Sequence, residues 1–319
     1  MEIKTFLKSI FTKKPAKGVV LMYHRIADVS SDVWELAVSP ANFEEQLQVL
    51  KRYNVISLDK LNDLFINQKN IESNVSITFD DGYRDNYTEA KPKLEKHNTP
   101  ATFFITTGFI GSEIEFWWDA LQRICLETAS LPSNLEIYAP VNSSWQIGFE
   151  DHETSPSELY LQLCEFFKKL PAQEHQAIIT YLESWSSNYT KRATYLQMNE
   201  EELLALHTNR LFTLGAHTKT HPFLPNFSYK YQEDEINNGI NTLERLTKSK
   251  VKYFAYPHGG CNEDTIKILD KTAIQLAFTT NPDGLTNSTY KLTIPRFQVK
   301  NWNGKEFEQH LVNWLSNKK

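Results

Sequence analysis

The chain has 319 residues, of which 40% are hydrophobic and 23% charged, with a formal net charge of −5 at pH 7. That balance excludes a disordered or low-complexity chain, and the acidic sign speaks against a nucleic-acid partner, which needs a basic field. The length allows one large domain or two ordinary ones, while Cys125, Cys164 and Cys261 are too few and too scattered for a disulfide framework or a cysteine metal site.

The chain starts with Ile3, Phe6, Leu7, Ile10 and Phe11 at helical spacing among Lys4, Lys8, Lys13, Lys14 and Lys17. Residues 1–17 therefore read as a basic amphipathic segment. Weak peripheral contact with an anionic membrane surface is expected through residues 3–17. No stretch reaches the ~18 apolar residues that span a bilayer, and the start lacks the apolar core and cleavage site of a signal peptide. The expectation is a cytoplasmic protein, peripheral at the inner membrane face.

Residues 18–26 open as a continuously apolar, buried strand and then expose Tyr23, His24 and Arg25, which makes His24 a site candidate. Ser39-Pro40 marks a helix start with a cap and a proline in the first turn, and Phe43, Leu47 and Leu50 give that helix one apolar face. A short strand at residues 55–58 and a short helix at 61–66 follow. In residues 75–79 Val75, Ile77 and Phe79 alternate with Ser76 and Thr78, a half-apolar strand that ends in Asp80-Asp81-Gly82. A helix over 87–97 and an apolar strand over 101–106 continue the alternation, which argues for a parallel sheet covered by helices.

Residues 112–200 break the pattern. An aromatic-rich helix begins at Phe116-Trp117-Trp118, a hairpin fits 135–149, and two helical stretches between Leu159 and Trp185 are separated near Pro171. This reads as an inserted helical lobe that either shapes substrate access or pads the barrel. Strand–helix alternation then resumes: strand 211–216, an amphipathic helix through Ile236, Ile240, Leu243 and Leu246, strand 251–256, helix 263–272, strand 274–279, Thr293 to Phe297, and a last helix over 305–315.

Two stretches carry chemistry. Adjacent Asp80 and Asp81 at a strand end repel each other, and a cation held there would reverse that balance. His217 and His221 are four apart, so on a helix or tight turn they share a face. With one carboxylate from elsewhere they make a His₂-carboxylate metal site with open positions for water or substrate.

Thr78-Phe79-Asp80-Asp81-Gly82 and His217-Thr218-Lys219-Thr220-His221 resemble the first two motifs of the polysaccharide deacetylases, the NodB-type carbohydrate esterase family 4. Phe254 to Gly259 resembles a variant of the third. The resemblance covers roughly residues 18–110 and 205–300. It implies an α/β fold, a distorted (β/α) barrel spanning 18–319 with 112–200 inserted. It also implies a metal-dependent hydrolase that removes the N-acetyl group from an N-acetylated sugar in a polysaccharide or its precursor. A non-catalytic glycan-binding relative and an amidase for a non-sugar carbon–nitrogen bond are the other readings.

The resemblance further implies that Asp80 is the base and that Asp81, His217 and His221 bind the metal. That metal is expected to be Zn²⁺, with Ni²⁺, Co²⁺ or Fe²⁺ suiting the same ligands. The family's late Leu-x-His motif is not found near residues 275–300, and Ala255 stands where its third-motif arginine belongs. His258, His24 and Arg296 are the available substitutes. His258 is the best acid candidate by position, whereas Arg296 can orient Asp80 but does not readily give up a proton.

Overall fold

The computed structural model describes residues 17–127, 135–138, 146–149, 155–184 and 192–316, the two short stretches as backbone strands only. Residues 1–16, nearly all of the basic segment, lie outside the described residues, as does Trp185. In chain order the strands and α-helices are β1 (Val19–Tyr23), β2 (Arg25–Ile26), β3 (Ala37–Val38), α1 (Pro40–Leu50), β4 (Asn54–Val55), α2 (Leu58–Ile66), β5 (Asn74–Phe79), α3 (Lys91–Lys96) and β6 (Ala101–Ile105). Then come α4 (Trp117–Leu126), β7 (Leu135–Tyr138), β8 (Gln146–Phe149), α5 (Pro156–Phe167), α6 (Ala172–Glu183), α7 (Glu200–His207) and β9 (Phe212–Ala216). The chain finishes with α8 (Tyr229–Thr247), β10 (Tyr253–Ala255), α9 (Glu263–Leu269), β11 (Leu276–Phe278), β12 (Phe297–Gln298) and α10 (Gly304–Leu315).

The main sheet runs β11-β10-β9-β6-β5-β1-β12, with β4 added beside the start of β5, and every pairing in it is parallel. Parallel strands need long crossovers, most of which here carry a helix, and these helices cover the sheet. The sheet curls into a distorted barrel. Ile294 bridges Phe278 of β11 while Phe297 and Gln298 pair with Leu21 and Met22 of β1, so one segment bonds to both ends of the sheet. The strands are buried on both faces: β1, β5, β6, β10 and β11 have no exposed residue. This explains why β1 is a continuous apolar run.

Local signals set the helix ends. Ser39 Oγ accepts the Asn42 N–H at 3.2 Å with Pro40 in the first turn of α1, and Asn199 and Glu202 form a reciprocal capping box on α7. The helix expected over 87–97 opens instead as a π-turn over Asn86–Ala90 before α3. Pro92 has no N–H to give to the preceding turn, so the α-ladder cannot run through it. The strand expected over 55–58 is confined to Asn54–Val55, because Ser57 caps α2 through the Lys60 N–H.

Between β6 and α7 the chain forms α4, the antiparallel pair β7–β8, α5 and α6. Phe116, Trp117, Leu121, Tyr160, Leu163, Phe167, Ile178 and Leu182 bury a second apolar core, separate from that of the barrel. Tyr83, two residues after Asp81, belongs to this second core and joins the lobe to the rim of the barrel. In a parallel barrel all strands deliver their carboxyl ends to one rim. Residues 24, 80, 106, 217 and 256 follow β1, β5, β6, β9 and β10 and therefore meet there.

Candidate active site

Asp80 and Asp81 leave β5 into the rim, both buried. The Asp80 N–H donates to the Tyr23 carbonyl at 3.0 Å, continuing the ladder one step past the strand, and Asp81 then turns at φ 73°. Thr218 (φ 63°), His221 (φ 63°) and His258 (φ 55°) also adopt the left-handed conformation. Such residues are uncommon outside glycine, and four of them around one rim mark strain held where side chains are aimed. The two histidines of the second motif lie in a tight turn after β9. The Thr218 hydroxyl accepts the His221 N–H at 3.0 Å and closes that turn.

Asp80 is gripped by Arg296. Nη1 donates to Oδ1 at 2.7 Å and Nη2 to Oδ2 at 2.6 Å, while Nε donates to the Thr279 carbonyl at 2.9 Å and Nη1 also reaches the Thr78 hydroxyl at 3.1 Å. Arg296 is 0% exposed. Burial alone would raise the Asp80 carboxyl, but the guanidinium outweighs it and holds the pKa below the ordinary range. Arg296 thus does for Asp80 what Ala255, at the third-motif position, cannot.

Asp81 faces the two histidines. Its Oδ1 lies 3.4 Å from His217 Nε2 and 3.2 Å from His221 Nε2, and these ligand atoms all fall within 4.8 Å of one another. The buried Oδ1 nevertheless has no hydrogen-bond partner. His217 Nδ1 lies 2.7 Å from the Ala255 carbonyl oxygen, which only accepts, so Nδ1 carries the proton. In the neutral ring the lone pair on Nε2 then points toward a carboxylate, an arrangement that repels unless a cation sits between them. The donor set fits one divalent metal ion, and the Ala255 carbonyl fixes the ligand tautomer.

His258 sits on the turn after β10, its ring 4.5 Å from that of His221, and its Nε2 is buried without a partner. Burial and the neighbouring His221 push its pKa well below the histidine range, so the ring is neutral. His24, after β1, is half-buried and lines the same cleft with Nδ1 unpartnered. Its neighbours depart from the sequence expectation. Tyr23 is fully buried and donates to Gln46 Oε1 at 3.0 Å, and Arg25 is buried against Asp85 at 3.0 Å. The strand alternates at its end, so only His24 of the three reaches the cleft.

The cleft encloses about 320 Å³ and is lined by Asp80, Asp81, His24, His217, His221 and His258 together with residues from outside the motifs. Trp117, Trp118, Cys164 and Lys168 come from the inserted lobe, Trp34 from the 27–36 loop, and Thr280 and Gln298 from the last strands. The lobe therefore forms a wall of the site as well as packing on the barrel. Trp118 lies 4.6 Å from the His221 ring and donates through Nε1 to the Tyr83 hydroxyl at 2.8 Å; Tyr83 in turn donates to Asp119 Oδ2 at 2.7 Å. Burial pushes the Asp119 carboxyl up to about 7. Sequence reasoning missed Trp34, Lys168 and Asp119 as site neighbours. The adjacent pair Trp117-Trp118 was the one visible hint.

The family model for polysaccharide deacetylases matches residues 67–130 and 143–277, more than half of the chain. The chain belongs to the polysaccharide deacetylase family. The deacetylase is 22% identical over 315 residues to the poly-beta-1,6-N-acetyl-D-glucosamine N-deacetylase of Staphylococcus aureus (strain MSSA476), covering 94% of this chain and 84% of the relative. It is 25% identical over 293 residues to YxkH of Bacillus subtilis (strain 168), covering 91% and 74%. Among solved structures, the Streptococcus pyogenes deacetylase PplD in complex with acetate superposes with a TM-score of 0.60 at 18% identity, covering 94% of this chain and 99% of that one. IcaB from Ammonifex degensii gives 0.60 at 19%, covering 95% and 98%. The deacetylase shares their fold along nearly its whole length. It is a hydrolase that removes N-acetyl groups from carbohydrate, and its Asp81, His217 and His221 are arranged for the metal on which the family depends.

Proposed function

We propose that the deacetylase uses zinc at Asp81, His217 and His221, Asp80 as the base and His24 as the acid. The observation that carries this reading is the His217 ring, whose proton on Nδ1 leaves Nε2 free to ligate beside an unpartnered carboxylate oxygen. A cation bound there supplies a water of lowered pKa and polarises the acetamide carbonyl. Two histidines and a carboxylate with open positions suit zinc first, and nickel, cobalt or iron next.

Asp80 accepts the proton of the attacking water, and Arg296 keeps it ionised and aimed for that step. Water oxygen bonds to the acetyl carbon, the carbon–nitrogen bond breaks, and the amine leaves with a proton from an imidazole. His258 is held neutral by its surroundings, which makes it a poor proton carrier and favours His24. The left-handed turn at His258 instead suits its peptide N–H for the developing oxyanion. The basic amphipathic residues 3–17 support work at the inner membrane face, on an N-acetylated precursor made inside the cell.

Acetate release from N-acetylglucosamine oligomers by zinc-loaded protein tests the chemistry. His24→Asn should lower kcat by about 10²–10⁴ at unchanged zinc content. If His258→Asn does so and His24→Asn does not, the acid is His258.

A further inference from the structure

The mouth of the cleft holds a pair that the reaction itself does not use. Trp34 is 38% exposed, the indole of a loop that is otherwise tied down. Asp32 accepts the Leu36 and Ala37 N–H groups at 2.9 and 2.8 Å, and Gln298 Nε2 donates to the Trp34 and Glu35 carbonyls at 2.9 and 2.8 Å. The indole N–H donates to the Tyr160 hydroxyl at 2.8 Å, which locks the ring against α5. Lys168, at the end of α5, brings its Nζ within 5.4 Å of the Trp34 ring centroid.

Among the described residues lining the cleft, Lys168 is the one lysine or arginine. Its side chain is 21% exposed, whereas its ion-pair partner Glu165, at 2.6 Å, is 63% exposed and lies on the outer side. An exposed pair one helical turn apart is worth about 0–1 kcal/mol. An anion brought into the sheltered cleft can therefore take the lysine from Glu165. The two acids at the floor of the cleft do not compete for it, because Asp80 is neutralised by Arg296 and Asp81 belongs to the metal set. A lysine so placed is poorly suited to a polymer whose neighbouring residues have already become cationic amines, since like charges at close range repel.

We propose that Trp34 and Lys168 form a subsite for an oxyanion substituent, a phosphate ester or a carboxylate, carried by the substrate beside the acetamido sugar. The indole face takes the apolar face of a sugar ring, and the lysine takes the oxyanion. The inference rests on the deacetylase reading of the cleft and narrows its substrate class.

The test uses full-length, zinc-loaded protein in two assays. Tryptophan fluorescence follows binding of N-acetylglucosamine 1-phosphate, of N-acetylglucosamine and of a disaccharide of N-acetylglucosamine with a uronic acid. Acetate release gives kcat/KM on the same three compounds. Wild type should prefer one oxyanion-bearing compound over the neutral sugar by tenfold or more in binding, and which one wins separates phosphate from carboxylate. Lys168→Gln should cut that preference about tenfold at equal zinc content, so that phosphate binding to the metal alone is not the cause. Lys168→Arg should restore most of it, and Glu165→Gln should strengthen it. Equal binding of neutral and acidic compounds by wild type, or a preference that Lys168→Gln leaves intact, overturns the subsite whether or not acetate is released. A preference that depends on Lys168 without acetate release keeps the subsite and rejects the deacetylase reading instead.

Discussion

Replacing Arg296 by methionine tests how the site holds its base. The substitution roughly keeps the volume of the side-chain stem but leaves Asp80 buried, with both oxygens losing donors at 2.7 and 2.6 Å. Breaking a buried pair by removing one partner costs about 3–5 kcal/mol, because the remaining charge is uncompensated. Against a typical total stability of about 5–15 kcal/mol this is a large share, and it should lower Tm by roughly 10 °C.

The pH dependence identifies the cause. In the wild type the folded pKa of Asp80 is depressed. Its pair therefore contributes stability above the unfolded carboxylate pKa of about 4, and that contribution is lost as pH falls through the lower folded value. In Arg296→Met burial dominates, and the folded pKa rises above the unfolded one. The penalty should then be largest near pH 7 and shrink as pH falls to about 4, where Asp80 binds a proton. The loss of donors to the Thr279 carbonyl and the Thr78 hydroxyl adds a cost that does not vary with pH. Urea unfolding from pH 4 to pH 8 measures both parts, and adding Asp80→Asn to Arg296→Met should recover much of the pH-dependent part. A penalty that is flat with pH and untouched by Asp80→Asn would refute this balance of burial and charge.

Three further outcomes follow from named contacts. Elemental analysis should show His217→Ala and His221→Ala losing most of their bound metal while Asp80→Asn keeps it; equal loss in all three would reject the division between the two aspartates. The Asp119 pKa is raised to about 7, so this group favours folding below its unfolded value near 4 and loses that contribution as pH rises toward 7. Asp119→Asn should accordingly flatten the fall in stability over that window, as read by unfolding at pH 4, 5.5 and 7. Removal of residues 1–16 should abolish any salt-sensitive sedimentation with anionic vesicles, each lysine there adding about 1 kcal/mol near such a surface; wild type that stays in solution at low salt would reject membrane contact.

Much of the site was legible because its chemistry is local. A period of two ending in Asp80-Asp81-Gly82 announces a strand that hands carboxylates to a rim, and His217 and His221 need only one turn to share a face. The parallel sheet was likewise readable, since continuous apolar strands alternating with amphipathic helices leave few other ways to bury both faces. The cap signal at Ser39-Pro40 marked the start of α1 to the residue. Tyr23 and Arg25 misled because a strand end looks alike in sequence whether its side chains meet solvent or the buried partners Gln46 and Asp85.

Long-range pairing was left to the tertiary structure. Arg296 and Asp80 are 216 residues apart, and the sequence offers Arg296 only as one of three substitutes that could orient Asp80; the two-point grip, with its reach to Thr78, exists only in the closed barrel. Trp34, Lys168 and Trp118 meet at one mouth only because the 27–36 loop and the inserted lobe fold toward each other across the rim. Local sequence carries backbone preference and side-chain period. Which charge neutralises which, and which aromatics line the cleft, depend on contacts that exist only once the chain has closed.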